Sequence, residues 1–244
     1  MTFDERVTKL NEMIAGARHI VFFTGAGIST GSGIPDFRSA DGLYNTIGGV
    51  KTASPEYMLS YTCLQRHPKE FVQYMRDNMD FRKAEPNIAH LKISELQQAR
   101  KVSVITQNID GLHTDAGSKR VLELHGSIKR NYCMKCKKFY DEDYVLNSKD
   151  VPVCSCGGVI KPDVVLYEEN LNDNILYNAI KDISNADCLI VGGTSLTVYP
   201  AAGLIHYFNG DNIILINKSK TDYDKYAKIV FNESISDVFS KIKI

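Results

Sequence analysis

The sequence predicts an α/β fold: a mainly parallel sheet with helices on both faces, interrupted by one small cysteine-bearing module. Three observations carry this expectation. Short apolar runs alternate with amphipathic segments along most of the chain, as in a parallel sheet buried between helical layers. Polar, glycine-rich segments follow the ends of several of those runs. Residues 128 to 168 break the alternation and hold four of the six cysteines.

In chain order, Thr2-x-x-Glu5 reads as a capping box ahead of Val7, Leu10 and Ile14 at helical spacing. His19 to Thr24 is an apolar run ending at Gly25, the mark of a buried strand. Residues 55 to 80 and 86 to 99 carry helical patterns, with Pro86 suited to a first turn. Val102 to Thr106 is a second buried strand and Arg120 to Leu124 a shorter third. After the irregular stretch, Asn172 to Ala186 puts Ile175, Ala179, Ile180 and Ile183 on one helical face. Asp187 to Val191 is a strand running into Gly192-Gly193, and Pro200 opens another helix. Asn212 to Ile216 and Lys228 to Phe231 are strands, and Ser236 to Ile242 is a closing helix.

Composition narrows the function. The chain is 43% apolar and 24% charged, and Lys+Arg and Asp+Glu both total 29. A nucleic-acid binder shows a basic excess or stripe; here the one basic cluster, Lys135 to Lys138, is broken by Cys136. Nucleic acid is therefore not expected as a direct ligand. No apolar run approaches the roughly 18 residues of a membrane span, and the N-terminus lacks a signal-peptide pattern. The expected location is cytoplasmic. In that reducing setting, paired cysteines point to a metal before they point to disulfides.

The cysteines run Cys133-x2-Cys136-x17-Cys154-x-Cys156, a spacing like that of a zinc ribbon. Four thiolates would close a tetrahedral site around one structural Zn²⁺, with no opening for water. The expected division is a nucleotide-binding unit, residues 1–127 and 164–244, with an inserted zinc-binding module at 128–163. Three segments at strand ends would meet on one rim of the sheet: Gly25-Ala-Gly27-Ile-Ser-Thr-Gly31, Gly192-Gly193-Thr194-Ser195 and Asn217-Lys218-Ser219. Glycines let a phosphate approach the backbone, so the rim suits a dinucleotide. The third glycine comes one place late for the standard Rossmann fingerprint, so the unit is Rossmann-like. Of six histidines, His19, His67, His90 and His206 lie away from polar clusters, and His113 reads as a local hydrogen-bond partner. His125 sits at a strand end on the expected rim, with Gly126 beside it. An imidazole there is matched to accept a proton at neutral pH.

Taken together, the chain resembles the sirtuin family in its compact, bacterial-type catalytic core. The matching residues are Gly25-Ala-Gly-Ile-Ser-Thr-Gly-Ser-Gly-Ile-Pro-Asp-Phe-Arg38, Thr106-Gln-Asn-Ile-Asp110, Leu124-His-Gly126, the four cysteines, Lys161-Pro-Asp-Val-Val165, Gly193-Thr-Ser195 and Val198-Tyr-Pro-Ala-Ala202. The resemblance implies an NAD-dependent protein-lysine deacetylase that converts acetyl-lysine and NAD to lysine, nicotinamide and O-acetyl-ADP-ribose. In that mechanism the amide oxygen attacks the anomeric carbon of the nicotinamide ribose, and His125 takes a proton from the ribose hydroxyls. Ala26, Thr30, Arg38, Ser195 and Asn217 would hold phosphates and riboses. Gln107 would contact the ribose, and Asn108 would orient ribose and water. Ile109 and Asp110 would grip the carboxamide, and Phe37 would shield the sugar. Gly25, Gly27, Asp36, Gly193, Thr194, Lys218 and Ile235 complete the implied NAD contacts. The same resemblance makes acetylated protein lysines the substrate, with Val164, Val165, Leu166 and Tyr167 pairing with the peptide as an added strand.

The chain departs from the family at one point. Many members have Phe-Gly-Glu where this sequence has Tyr167-Glu168-Glu169. Acyl preference also follows from the resemblance. Succinyl-removing sirtuins place a Tyr and an Arg three residues apart on a helix lining the acyl pocket. Aligning Phe71-Val-Gln-Tyr-Met-Arg76 with that helix puts Val72 and Met75 there, with Tyr74 and Arg76 one or two residues away. An apolar pocket leaves a succinyl carboxylate uncompensated, so acetyl is expected over succinyl. Mono-ADP-ribosyl transfer to a protein side chain is the alternative use of the same NAD site.

Overall fold

A computed structural model describes residues 1–36 and 54–244. Helix α1 (Phe3–Gly16) leads into β1 (His19–Thr24). Three short helices follow: α2 (Pro55–Met58), α3 (Tyr61–Arg66) and α4 (Pro68–Asn78). Next come α5 (Ile88–Ala99), β2 (Lys101–Thr106), α6 (Leu112–Asp115) and β3 (Val121–Glu123). The middle of the chain holds β4 (Gly126–Cys133), β5 (Phe139–Asp141), α7 (Glu142–Leu146) and β6 (Ile160–Val164). The chain then runs through α8 (Asp173–Ser184), β7 (Cys188–Gly192), β8 (Ile213–Ile216), β9 (Ile229–Phe231) and α9 (Ile235–Phe239).

Six strands form one parallel sheet in the order β3-β2-β1-β7-β8-β9. From β1 the chain builds outward through β2 and β3, then returns to β1's other edge and builds through β7, β8 and β9. The gap beyond the ends of β1 and β7 is thus a topological switch point, where open α/β sheets bind ligands. Both faces of the sheet are covered, which is why the strands read as unbroken apolar runs. Ile20 and Phe22 of β1 join Leu10, Ile93 and Phe239 on the face of α1, α5 and α9. Val21 and Phe23 join Ala179, Ile183 and Leu204 on the face of α8.

The middle segment builds a second, antiparallel sheet in the order β5-β4-β6. Its Ile128 and Val164 share a core with Phe71, Val72, Met75 and Met79 of the α4 region. The four cysteines lie at the far end of this sheet, and Cys133 and Cys154 pack with Val145 and Ile160.

Several boundaries differ from expectation for local reasons. The helical pattern over 55–80 is cut twice. Ser60 accepts from Cys63 N to cap α3 anew, and Pro68 starts α4. Pro86 lies outside its helix because the Asn87 side chain accepts from Ala89 N and caps α5. The turn opened by Pro200 is a 3₁₀ segment, Ala201–Tyr207, and the closing helix is Ile235–Phe239. The capping box of Thr2 and Glu5 forms as expected.

Two buried histidines tie α5 to the loops beneath the switch point. His113 meets Thr24 Oγ1 through Nε2 at 3.0 Å. His90 accepts from Asn87 N through Nδ1, and the two rings meet edge-on at 4.8 Å. His90 Nε2 and His113 Nδ1 have no hydrogen-bond partner among the described residues. Burial lowers both pKa values, that of His90 to about 4. An unfolded histidine titrates near 6.5, so the stability tied to this pair is present above about pH 6.5 and is lost as pH falls toward 4. Comparing urea midpoints at pH 7 and 5 should show wild type losing about 2 kcal/mol more than His90→Gln. Equal pH slopes would contradict this reading.

Candidate active site

The glycine-rich segments after β1 and β7 meet each other across the switch point. Gly25 N donates to Gly192 O at 3.1 Å, and Gly27 N to Gly193 O at 2.8 Å. A Cβ on Gly27 would stand 2.7 Å from Gly193 Cα, closer than real side chains come. The glycines thus first let two loops touch, and that contact forms the floor of a cleft of about 1740 Å³.

Most residues expected in the site line this one cleft. Gly25, Ala26, Gly27 and Asp36 come from the first loop; Gln107, Asn108 and Ile109 follow β2; His125 follows β3. Gly193, Thr194 and Ser195 follow β7, and Asn217 follows β8. Val164, Val165, Leu166 and Tyr167 form the opposite wall with Glu168 and Glu169. Four expected residues do not line it. Thr30 is exposed and donates to Gly27 O at 3.0 Å. Lys218 is exposed while its neighbour Ser219 lines the wall. Ile235 is buried in the core at the start of α9. Asp110 is buried behind the wall. Phe37 and Arg38 lie outside the described residues.

His125 is held by one short bond: its Nδ1 lies 2.8 Å from Gln107 O. A carbonyl can only accept, so Nδ1 carries the proton and the lone pair is on Nε2. Burial lowers the imidazole's pKa below its ordinary value, opposed by that bond to Gln107. The ring is therefore neutral at pH 7, with its basic nitrogen unprotonated. Gly126 sits beside it with φ +76, where a Cβ would collide with Asp163 O. The glycine is needed for the approach of β4 to β6 and for the left-handed backbone.

A hydrogen-bonded chain organises the loop after β2. Asn108 Nδ2 donates to Ser29 Oγ at 3.0 Å, and Ser29 Oγ donates to Asp110 Oδ2 at 2.7 Å. Asp110 Oδ1 accepts from Leu112 N at 2.9 Å, and burial raises this carboxyl's pKa. Gln107 Nε2 reaches across the cleft floor to Thr194 Oγ1 at 3.0 Å. Ser29, fully buried, joins the two strand-end loops and was not singled out from the sequence. It lies within the matched first block, yet a serine in a glycine-rich run carries no signal of which way it points.

The wall from Val164 to Glu169 is heavily bonded. Val165 N donates to His125 O at 2.9 Å, and Tyr167 N to Leu59 O at 3.0 Å. Leu166 N, which points the other way along the strand, donates to Glu169 Oε2 at 2.9 Å. That carboxylate also pairs with Lys161 Nζ, which in turn reaches Val164 O. The segment thus has one edge bonded to Leu59, Tyr61 and His125, while on the other edge Leu166 meets Glu169 twice, its N–H at the carboxylate and its carbonyl at Glu169 N, 3.0 Å. Glu168 is the left-handed residue of the wall, φ +77, a conformation that costs a non-glycine residue roughly 1–2 kcal/mol.

The four cysteine sulfurs all lie within 4.8 Å of one another. Cys133 and Cys156 are 3.5 Å apart, as are Cys136 and Cys154. Tetrahedral Zn–S bonds of about 2.3 Å set the sulfurs about 3.8 Å apart, so the donor set and spacing fit one structural zinc. The single residue between Cys154 and Cys156 is no obstacle, since both reach the cluster.

Comparison with known proteins agrees with this geometry. A profile of the Sir2 family matches residues 25–200. The NAD-dependent protein deacetylase of Clostridium perfringens (strain 13 / Type A) is 52% identical over 242 residues, covering 98% of this chain and 99% of the relative. The NAD-dependent protein deacetylase of Clostridium tetani (strain Massachusetts / E88) is 52% identical, covering 96% of this chain and 95% of the relative. A solved Sir2 complex with a deacetylated p53 peptide and 3′-O-acetyl-ADP-ribose superposes with a TM-score of 0.87 at 35% identity, covering 96% of each chain. A Sir2–p53 peptide–NAD⁺ complex does so with a TM-score of 0.84 at 36% identity, again covering 96% of each chain.

Proposed function

The chain belongs to the Sir2 family and is an NAD-dependent protein deacetylase, and we propose that His125 is its general base, acting through Nε2. The observation that carries this reading is the His125–Gln107 bond, which leaves a neutral imidazole with Nε2 as its basic atom. NAD, when bound, supplies an electrophilic ribose carbon and a nicotinamide leaving group. His125 takes a proton from a ribose hydroxyl, which becomes a nucleophile. Asn108, whose amide nitrogen is held by Ser29, keeps its side-chain oxygen to orient ribose or water. Ile109 on the wall and Asp110 behind it form the carboxamide subsite.

The remaining NAD contacts follow the loops. Ala26, Gly27, Thr194, Ser195 and Asn217 face the phosphates and riboses along the switch point, with Phe37 and Arg38 contributed from the segment after Asp36. Residues 128–163 form the zinc-stapled module against which the acylated lysine docks. The peptide adds as a strand on the Leu166 edge of the wall, displacing the Glu169 carboxylate. No described helix is long and apolar enough to cross a membrane; the proposed location is the cytoplasm, where thiolates remain free to hold zinc.

Acyl preference follows from the wall chemistry. Of the two residues aligned with the acyl pocket, Met75 lines the cleft and Val72 does not; Met79 joins Met75 there, and among the described residues no Lys or Arg lines it. Arg76 is committed to Ser148 Oγ and Asp150 O. A succinyl carboxylate would enter unpaired. Turnover of an acetyl-lysine peptide should exceed that of its succinyl twin at least about tenfold, since an uncompensated buried charge costs well over 1.4 kcal/mol; faster succinyl removal would refute the pocket assignment.

The test of the function is incubation with an acetyl-lysine peptide and NAD, following nicotinamide and O-acetyl-ADP-ribose. His125→Ala should lower deacetylation by at least about a hundredfold, as for loss of a general base, while NAD affinity stays close to wild type. Near-normal turnover by the variant would remove His125 from the chemistry.

A further inference from the structure

We propose that Glu168 is a positioning residue for the peptide substrate, hooking the wall strand onto the N-terminus of α3. The inference rests on the deacetylase reading. It starts from the departure noted in the sequence: a glutamate where the family resemblance leads to the expectation of glycine. The backbone there is left-handed, φ +77, so glycine would sit without strain and glutamate does not. A residue kept in such a conformation needs compensation from its surroundings.

The compensation is visible. Glu168 Oε2 accepts from Thr62 N at 2.9 Å and from Thr62 Oγ1 at 2.7 Å. Thr62 is in the first turn of α3, where backbone N–H groups lack helical partners and a carboxylate is favoured. The hook completes a row of bonds. Tyr167 N donates to Leu59 O, Tyr61 N donates to Tyr167 O at 3.1 Å, and Ser60 bridges Tyr167 in parallel. The segment from Leu59 to Thr62 and the segment from Leu166 to Glu168 are therefore laced together on the inner edge of the wall.

This lacing decides where the outer edge stands. Leu166 N–H, offered to the peptide, lies between Val165 and Tyr167, both tied inward. Leu59, on the same laced segment, lines the cleft alongside the wall strand. With glycine at 168 the backbone would relax but the side-chain tie to Thr62 would be lost, leaving only the backbone bonds of Tyr167 to Leu59 and Tyr61 among the described residues. With glutamate, the strand edge is fixed before the peptide arrives, which reduces the ordering cost of binding. Among the described residues the Glu168 carboxylate bonds to Thr62 and to neither NAD-side loop, so its effect falls on the peptide.

The experiment compares wild type, Glu168→Ala, Glu168→Gln, Thr62→Ala and the Glu168→Ala/Thr62→Ala pair, with thermal melts to establish folding. Peptide affinity is read by anisotropy of a labelled acetyl-lysine peptide, and KM and kcat by nicotinamide release. Glu168→Ala should weaken peptide binding and raise peptide KM about five- to tenfold, with kcat and NAD affinity within about twofold. Glu168→Gln, which still offers an oxygen to Thr62, should stay within about twofold of wild type. The double variant should be no worse than Glu168→Ala, because both changes cut one hook. Hydrogen exchange at the Tyr61 and Tyr167 amides should quicken in Glu168→Ala.

Wild-type peptide affinity in Glu168→Ala would overturn the proposal, as would equal losses in the alanine and glutamine variants or a matching loss of NAD affinity. If wild type itself released no nicotinamide with the acetyl peptide, the deacetylase reading would fail instead. The exchange and anisotropy measurements would still report on the hook.

Discussion

The proposed chemistry of the cleft depends on one hydrogen bond, from His125 Nδ1 to the Gln107 carbonyl. It settles which nitrogen is basic, and it does so with a backbone atom that cannot change its protonation state. The bond exists because β2 and β3 are neighbours in a parallel sheet and both end at the same rim. Their following residues, Gln107 and His125, therefore face one another. Burial lowers the imidazole pKa, so the ring is neutral, as the proposed role of general base requires.

The bond would be of no use without a cleft above it, and the cleft depends on contact between two glycine loops. Gly25 and Gly27 after β1 bond to Gly192 at the end of β7 and to Gly193 after it, closing the floor between the halves of the sheet. Gln107 joins that floor through Thr194. Ser29 joins it to Asn108 and Asp110. The carbonyl that holds His125 thus belongs to a residue anchored on both sides of the switch point.

Much of this was legible in the sequence, for physical reasons. Strands buried on both faces are largely apolar, so β1, β2, β7 and β8 stood out as runs, while the partly exposed edge strand β3 was shorter and fainter. Glycine is required where backbones touch, so the loops announced themselves. Four cysteines at ribbon spacing admit few readings in a reducing compartment. Other features were hidden. The segment 55–80 keeps a helical apolar pattern across Ser60 and Pro68, because all three helices bury the same kind of face against the smaller sheet. The strands β4, β5 and β6 were missed, since half-exposed antiparallel strands carry charged residues that mask their period. Ser29 and Thr62 gave no signal, because a hydroxyl's role depends on what the fold brings to it. Gly126 was legible only as the neighbour of His125; the structure shows it making room for the Asp163 carbonyl.

The most direct measurement of the central claim is the tautomer and titration of His125 by nitrogen-15 NMR in histidine-labelled protein, assigned with the His125→Ala variant. The account predicts an Nδ1–H tautomer at neutral pH, with Nε2 showing the shift of an unprotonated nitrogen and a midpoint below the ordinary value of about 6.5. An Nε2–H tautomer, or a midpoint above that value, would contradict it.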